Sequence, residues 1–236
     1  MLSQSNTQQA TYKNMQSKRF KTFALTIVII TCAHLGWGSV APPLSVTYRE
    51  TTGDQSLNFR WELKTSPDIH LEVTRGEEHF LNRLEPSGTT TRWSHSSPQR
   101  DITAYRRENR IFLSGWVNGE AIHEEWTIDD GPWYQALSYC LRPFLRSDKK
   151  EVEFWMIRPD TINAIKMRAQ KTALESITVD GRECTAWNVS VCRTGFLSLF
   201  WQGEYWYRAK DGLFLKYKGV HGPPGTPPTV VEVDFE

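Results

Sequence analysis

The stretch "EYWYRAKDGLFLKYKG", Glu204–Gly219, decides the fold. Side chains alternate along an extended chain, so Tyr205 and Tyr207 fall on one side and Trp206 on the other. Asp211-Gly212 interrupts the pattern with a pair that tolerates positive φ, the signature of a hairpin turn. Beyond it, Leu213, Leu215 and Tyr217 oppose Phe214. Two aromatic strands, apolar on both sides and joined by a tight turn, need cover on both sides.

The same grammar recurs outward from this hairpin. In "LNFRWEL" Leu57, Phe59, Trp61 and Leu63 share a face opposite Asn58, Arg60 and Glu62, and "IHLEV" sets Ile69, Leu71 and Val73 against His70 and Glu72. Asn118-Gly119 joins "IFLSGWV" to "EAIHEEWTI", Asp180-Gly181 joins "ESITV" to "RECTAWNVSV", and "RENR" (Arg107–Arg110) turns "ITAYR" into "IFLSGWV". "EVEFWMIR" is two-sided, with Val152, Phe154 and Met156 opposite Trp155 and Ile157. Successive strands linked by tight turns define a mainly β chain: a curled antiparallel meander forming a half-barrel, a barrel or a sandwich. The cover that two-sided strands need would come from a helix, from the loop "EPSGTTTRWSHSSPQR" (Glu85–Arg100) or from a bound apolar ligand.

One embedded short helix is expected in "DDGPWYQALSYCLRPF". Pro132 suits a first helical position, Asp129 and Asp130 suit its cap and dipole, and Pro143 ends it. Trp133, Leu137 and Leu141 then recur at helical spacing beside Cys140 and plug the sheet.

"GPPGTPPT", residues 222–229, imitates the front of a phosphate-binding loop. Pro227 and Pro228 stand where that loop needs glycine and lysine, and proline has no N–H to donate to phosphate. No helix follows; "VVEVDFE" alternates Val231, Val233 and Phe235 as a strand. The octapeptide is a stiff connector to one more strand of the sheet, and no nucleotide site is expected.

The chain has 236 residues, with 28 Lys and Arg against 27 Asp and Glu, so bulk charge gives no reason to expect nucleic acid. Ten Trp, eight Tyr and eleven Phe are enough aromatic mass to fill a core. Residues 1–22 are basic and lack acid, and "FALTIVIITCAHLGWGSVA" (Phe23–Ala41) follows. That order is a signal peptide or a membrane anchor, with the N-terminus in the cytoplasm and residues 45–236 exported as a β-rich domain. Ser39-Val40-Ala41 resembles a cleavage site, but Pro42 disfavours cleavage, so release near Ala41 and retention as an anchor both stay open.

Export permits disulfides. Cys184 and Cys192 lie on a single strand roughly 26 Å apart, too far to bridge, so a disulfide would join Cys140 to one of them; three buried thiols are the alternative. "HEEW" at His123 lacks the second histidine of a zinc helix, and no Cys-x-x-Cys is present, so no metal or other cofactor is expected. No Gly-x-Ser-x-Gly elbow marks a nucleophile, and Ser198 in "TGFLSLFW" has no partner nearby in sequence. "YRRENR" is a charged turn rather than a phosphate patch.

The aromatic hairpin, the helix from Pro132 and the turns at Asn118-Gly119, Asp180-Gly181 and Asp211-Gly212 together resemble the periplasmic LolA-like half-barrels and related exported bacterial domains of unknown function. The resemblance spans roughly residues 45–235 as a meander of about ten strands. It implies a concave apolar sheet face, covered by a helix, that takes lipid or lipoprotein acyl chains. The residues expected to line it are Trp133, Leu137, Phe154, Trp155, Trp201, Tyr205, Trp206, Tyr207 and Phe214. The resemblance carries over no catalytic residue. The expectation is a tethered, non-enzymatic binding protein of the cell envelope. The alternatives are a structural or protein-interaction module with a filled core, and a hydrolase assembled from distant residues.

Overall fold

The computed structural model describes residues 44–195, 202–220 and 225–235. The basic tail, the apolar run Phe23–Ala41, Ser198, Trp201 and the residues of the connector up to 224 lie outside them. Among the described residues no helix is long and apolar enough to cross a membrane.

Strands β1 (Leu44–Thr52), β2 (Gln55–Lys64), β3 (Ile69–Arg75), β4 (Glu78–Leu84), β5 (Thr90–Ser97), β6 (Arg100–Arg107), β7 (Arg110–Val117) and β8 (Glu120–Thr127) form one antiparallel meander. A second comprises β9 (Glu151–Arg158), β10 (Asn163–Val179), β11 (Arg182–Arg193), β12 (Gln202–Arg208) and β13 (Phe214–Gly219). The last strand, β14 (Thr229–Asp234), lies between β1 and β13. Val233 faces Tyr48 on one side and Val231 faces Tyr217 on the other, so β14 is the seam that makes one 14-stranded sheet. The turns are those the sequence signals: Asn118 and Gly119 (φ 51° and 84°) and Asp180 and Gly181 (φ 49° and 71°) are both left-handed, as a right-twisted hairpin requires.

Two expectations need correction. Glu85–Arg100 is not a covering loop, because β5 occupies Thr90–Ser97; Trp93 and His95 alternate inward among hydroxyl side chains that hide the period. The helix does not begin at Pro132. It consists of two single turns, α1 (Leu137–Cys140) and α2 (Arg142–Leu145), with Pro143 inside the first turn of α2 rather than ending a longer helix. Residues 132–135 are extended and pair in parallel with the free edge of β9. Tyr134 N–H donates to Trp155 C=O and Trp155 N–H to Pro132 C=O, both at 2.8 Å. Asp129 caps no helix. It accepts from Gly131 N–H, from the Trp155 indole at 2.8 Å and from Lys166 at 2.5 Å. These bonds hold its carboxyl down at about 2, Lys166 contributing most.

The sheet is curled but not closed: among the described residues no ladder joins β8 to β9. Cross-strand register places Leu63, Leu71, Asn82, Trp93, Ala104 and Leu113 on one continuous face. The same face runs through Tyr48, Val233, Val231, Tyr217, Tyr205, Val189 and, by way of β10, to Phe154 on β9. Phe154 joins the main core, whereas Ile157, on the reverse side of β9, is buried in a second core with Trp93, Ile102, Ile111 and Trp133. The reverse of β9 therefore packs on the inner face of β5–β7, and the sheet rolls past its own edge. That is why "EVEFWMIR" is apolar on both sides.

Candidate functional site

The inner face of the roll between β1 and β4 and between β9 and β14 is apolar and aromatic, and α1 and α2 cover it. Leu137, Cys140, Leu141, Phe144 and Leu145 of the cover are all at most 7% exposed. Against them lie Tyr48, Trp61, Phe154, Tyr207 and Phe214. The helical turns are too short to hold themselves, since a nucleus of this length gains few internal bonds. Neither has an N-cap side-chain bond, and Ser147 Oγ closes α2 by donating to Phe144 C=O at 2.8 Å. What holds them is the sheet. Tyr207 Oη donates to Leu137 C=O at 2.9 Å, and Trp61 Nε1 donates to Ser138 Oγ at 3.0 Å. Gly88, at φ 84° in the β4–β5 turn, passes so close beneath that a Cβ there would lie 2.5 Å from Cys140 C=O. Tyr48 Oη is spent on Phe214 C=O at 2.8 Å, within the sheet.

The approach to the cover is zipped shut by one side chain. Gln135 Oε1 accepts from Ile157 N–H at 2.9 Å and from the Trp133 indole at 3.0 Å, while Gln135 Nε2 donates to Ile157 C=O at 2.8 Å. Its own N–H donates to Thr90 Oγ1, which links the segment to β5. Nothing local in the sequence marks this residue, because its partners other than Trp133 are distant along the chain.

The expected lining residues separate into groups. Phe154, Tyr205, Tyr207 and Phe214 share the inner face, with Leu137 on the cover above them. The Tyr205 ring is tilted against Tyr217, centroids 4.8 Å apart, and Tyr207 against Phe214 at 5.8 Å. Burial drives the Tyr205 and Tyr207 hydroxyls far above the usual phenol range, so both stay neutral. Trp133 and Trp155 belong to the second core. Trp206 is on the reverse of β12, in a polar ladder: its indole donates to Glu175 at 2.7 Å, and Lys216 lies over its ring and pairs with Glu232. Trp201 lies outside the described residues.

Sequence reasoning missed three polar groups on or near the inner face. His95, 2% exposed, bonds Glu78 through Nε2 at 3.2 Å and stacks on Phe80. Burial lowers its pKa, Arg100 adds to that, and Glu78 opposes it. Asn82 is buried beside Trp93 on the neighbouring strand. Arg142 of α2 lies over the rings of Trp61 and Tyr139, 5.4 and 4.9 Å from their centroids. Cys140, Cys184 and Cys192 are free thiols, and burial pushes the Cys140 thiol up to about 12. Among the described residues no three His, Cys, Asp or Glu side chains are grouped to hold a metal. The surface depression that includes Thr89, Arg106 and Asp130 is polar and sits outside the covered face.

No family model matches this chain, and no curated protein matches it in sequence. Among solved structures it is similar to a beta-barrel-like protein of the domain of unknown function DUF1849 from Brucella abortus. The TM-score is 0.55 at 7% identity, over 83% of this chain and 96% of that one. A LolA superfamily protein from Nitrosomonas europaea aligns over 82% of this chain and 83% of its own, at 8% identity and a TM-score of 0.27. A DUF1329 family protein from Desulfovibrio piger aligns over 81% and 82%, at 9% identity and 0.26. Of these three, the Brucella protein is the one whose TM-score shows a shared fold.

Proposed function

We propose that this chain is an exported, membrane-tethered, non-enzymatic protein of the cell envelope that binds an amphiphile's apolar chain against the inner face of its rolled sheet, with α1 and α2 as the displaceable cover. One observation carries the reading: an aromatic sheet face is covered by two single turns of helix, neither with an N-cap side-chain bond, instead of by further strands. Magnitudes permit the exchange. Lifting Leu137, Leu141, Phe144 and Leu145 into water costs roughly 6–12 kcal/mol at about 1.5–3 per side chain, and burying a chain of about fifteen methylenes returns a similar amount. Tyr205, Tyr207, Phe154 and Phe214 line the face in this reading.

The filled interior favours a second reading, a structural or interaction module whose core simply packs, since Tyr207 and Phe154 are both 0% exposed. Mass spectrometry of lipid extracted from the purified full chain, with titration of a fluorescent fatty acid, separates the two. Co-purifying lipid or saturable binding supports the first. A chain that carries no lipid and leaves the probe unbound sinks it, and crosslinking in the native cell then identifies the partner.

A further inference from the structure

Two other arginines of this protein show how its guanidinium groups hold acids. Arg75 grips Glu50 through Nε at 3.0 Å and Nη2 at 2.7 Å; Arg208 grips Asp211 through Nε at 2.9 Å and Nη2 at 2.6 Å. Nε and Nη2 lie on the same edge of the guanidinium, so their N–H vectors run side by side and clasp both oxygens of one anion.

Arg142 presents this same edge, buried, with no hydrogen-bond partner for Nε or Nη2 among the described residues. The group lies over the Trp61 and Tyr139 rings, and its stem passes so near Gly212 that a Cβ there would come within 3.2 Å of Arg142 Cγ. Asp211, the nearby acid, does not serve it. Both Asp211 oxygens are engaged by Arg208, and one also accepts from Leu213 N–H. Arg146 reaches the same turn through Asp211 C=O. Of the arginines at this end of the cover, Arg208 alone bonds the Asp211 carboxylate, and Arg142 acts on it only through its charge. Burial pulls the Arg142 pKa down, and Asp211 is the carboxylate that opposes it. Leaving a buried cation's donors unbonded is among the costlier arrangements a fold can keep.

We propose that the Nε and Nη2 edge of Arg142 receives the anionic head of the amphiphile, a carboxylate or a phosphate monoester, and that its chain runs from there beneath α1 and α2. This deepens the reading of the inner face and rests on it. The ligand class becomes an acyl or alkyl chain ending in a compact anion rather than a neutral lipid.

The test is displacement of a fluorescent fatty acid from the full chain in mild detergent by palmitate, hexadecyl phosphate and hexadecanol. The expected result is displacement by palmitate or hexadecyl phosphate at concentrations about tenfold or more below hexadecanol, the worth of charge-assisted bonds. Which anion is stronger distinguishes a fatty acid from a phosphorylated lipid. In Arg142→Gln the preference should fall to within about twofold, and in Arg142→Lys it should survive in part. Hexadecanol competing as well as the acids, or an acid preference that persists in Arg142→Gln, overturns the proposal while leaving the apolar-chain reading intact. Binding of none of the probes removes both. If Arg142→Gln does not fold, the wild-type ratio still decides.

Discussion

Replacing Gln135 by methionine keeps the volume and flexibility of the side chain and removes its hydrogen bonds. Ile157 N–H, Ile157 C=O and the Trp133 indole all lose their partner. Ile157 and Trp133 are both 0% exposed, so water has no ready route to replace what is lost. At about 1 kcal/mol for each neutral bond, rising where a buried group is left unsatisfied, Gln135→Met should destabilise by about 3 kcal/mol or more. For a domain of this size that is a fall in melting temperature of roughly 6–12 °C. Urea melts followed by circular dichroism give the free energy, and amide exchange locates it. The Ile157 amide should lose protection ahead of β12 and β13. A loss below about 1 kcal/mol, or Ile157 protection equal to wild type, would show that the crossover is held by packing and not by this side chain.

Gly88→Ala must place a Cβ at φ 84° and 2.5 Å from Cys140 C=O; strain and overlap together should cost about 2 kcal/mol or more, and a neutral variant in a urea melt would contradict the close approach. Asp129 has its carboxyl lowered from 3.8 to about 2, so its contribution is complete above pH 4 and fades as pH falls towards 2. Asp129→Asn should therefore be less stable than wild type at neutral pH and equal to it near pH 2; a constant gap across this range would refute the linkage. Under native conditions iodoacetamide should modify Cys184 and Cys192 while sparing Cys140, which is 0% exposed with its thiol raised to about 12. Peptide mapping that finds Cys140 alkylated, or bridged to either of the others, would contradict this.

The strands were legible because their information is local. Alternation in "LNFRWEL" or "EYWYRA", with Asn-Gly and Asp-Gly between runs, fixes strand and turn together. β5 was hidden because Thr90, Thr91, Ser94, Ser96 and Ser97 mask the inward pair Trp93 and His95. The helix boundary failed for a different reason. Trp133, Leu137 and Leu141 do stand at helical spacing, but Trp133 and Leu137 serve different cores, and bonds to Trp155 and Ile157 outweigh local propensity. Trp206 and Tyr207 are neighbours in sequence and lie on opposite faces, so a list of aromatics could not separate lining from ladder. Arg142 carried no signal, as an arginine before a proline reads as a helix end; only the fold brings Trp61 beneath it.

The placement of β14 has a kinetic consequence. It is the last strand in chain order, yet it pairs with the first. Until it is made, β1 and β13 each present a long unpaired edge, and the two meanders can fold locally but cannot register with one another. Because this pairing joins residues as far apart as Arg49 and Asp234, 185 positions, there is an interval in folding when the chain is most open to edge-to-edge aggregation, and it ends when a six-residue strand slots into place. Val233→Lys, at a residue 2% exposed that faces Tyr48, puts a charge into the core, so it should prolong that interval and lower both the yield of soluble chain and its melting temperature.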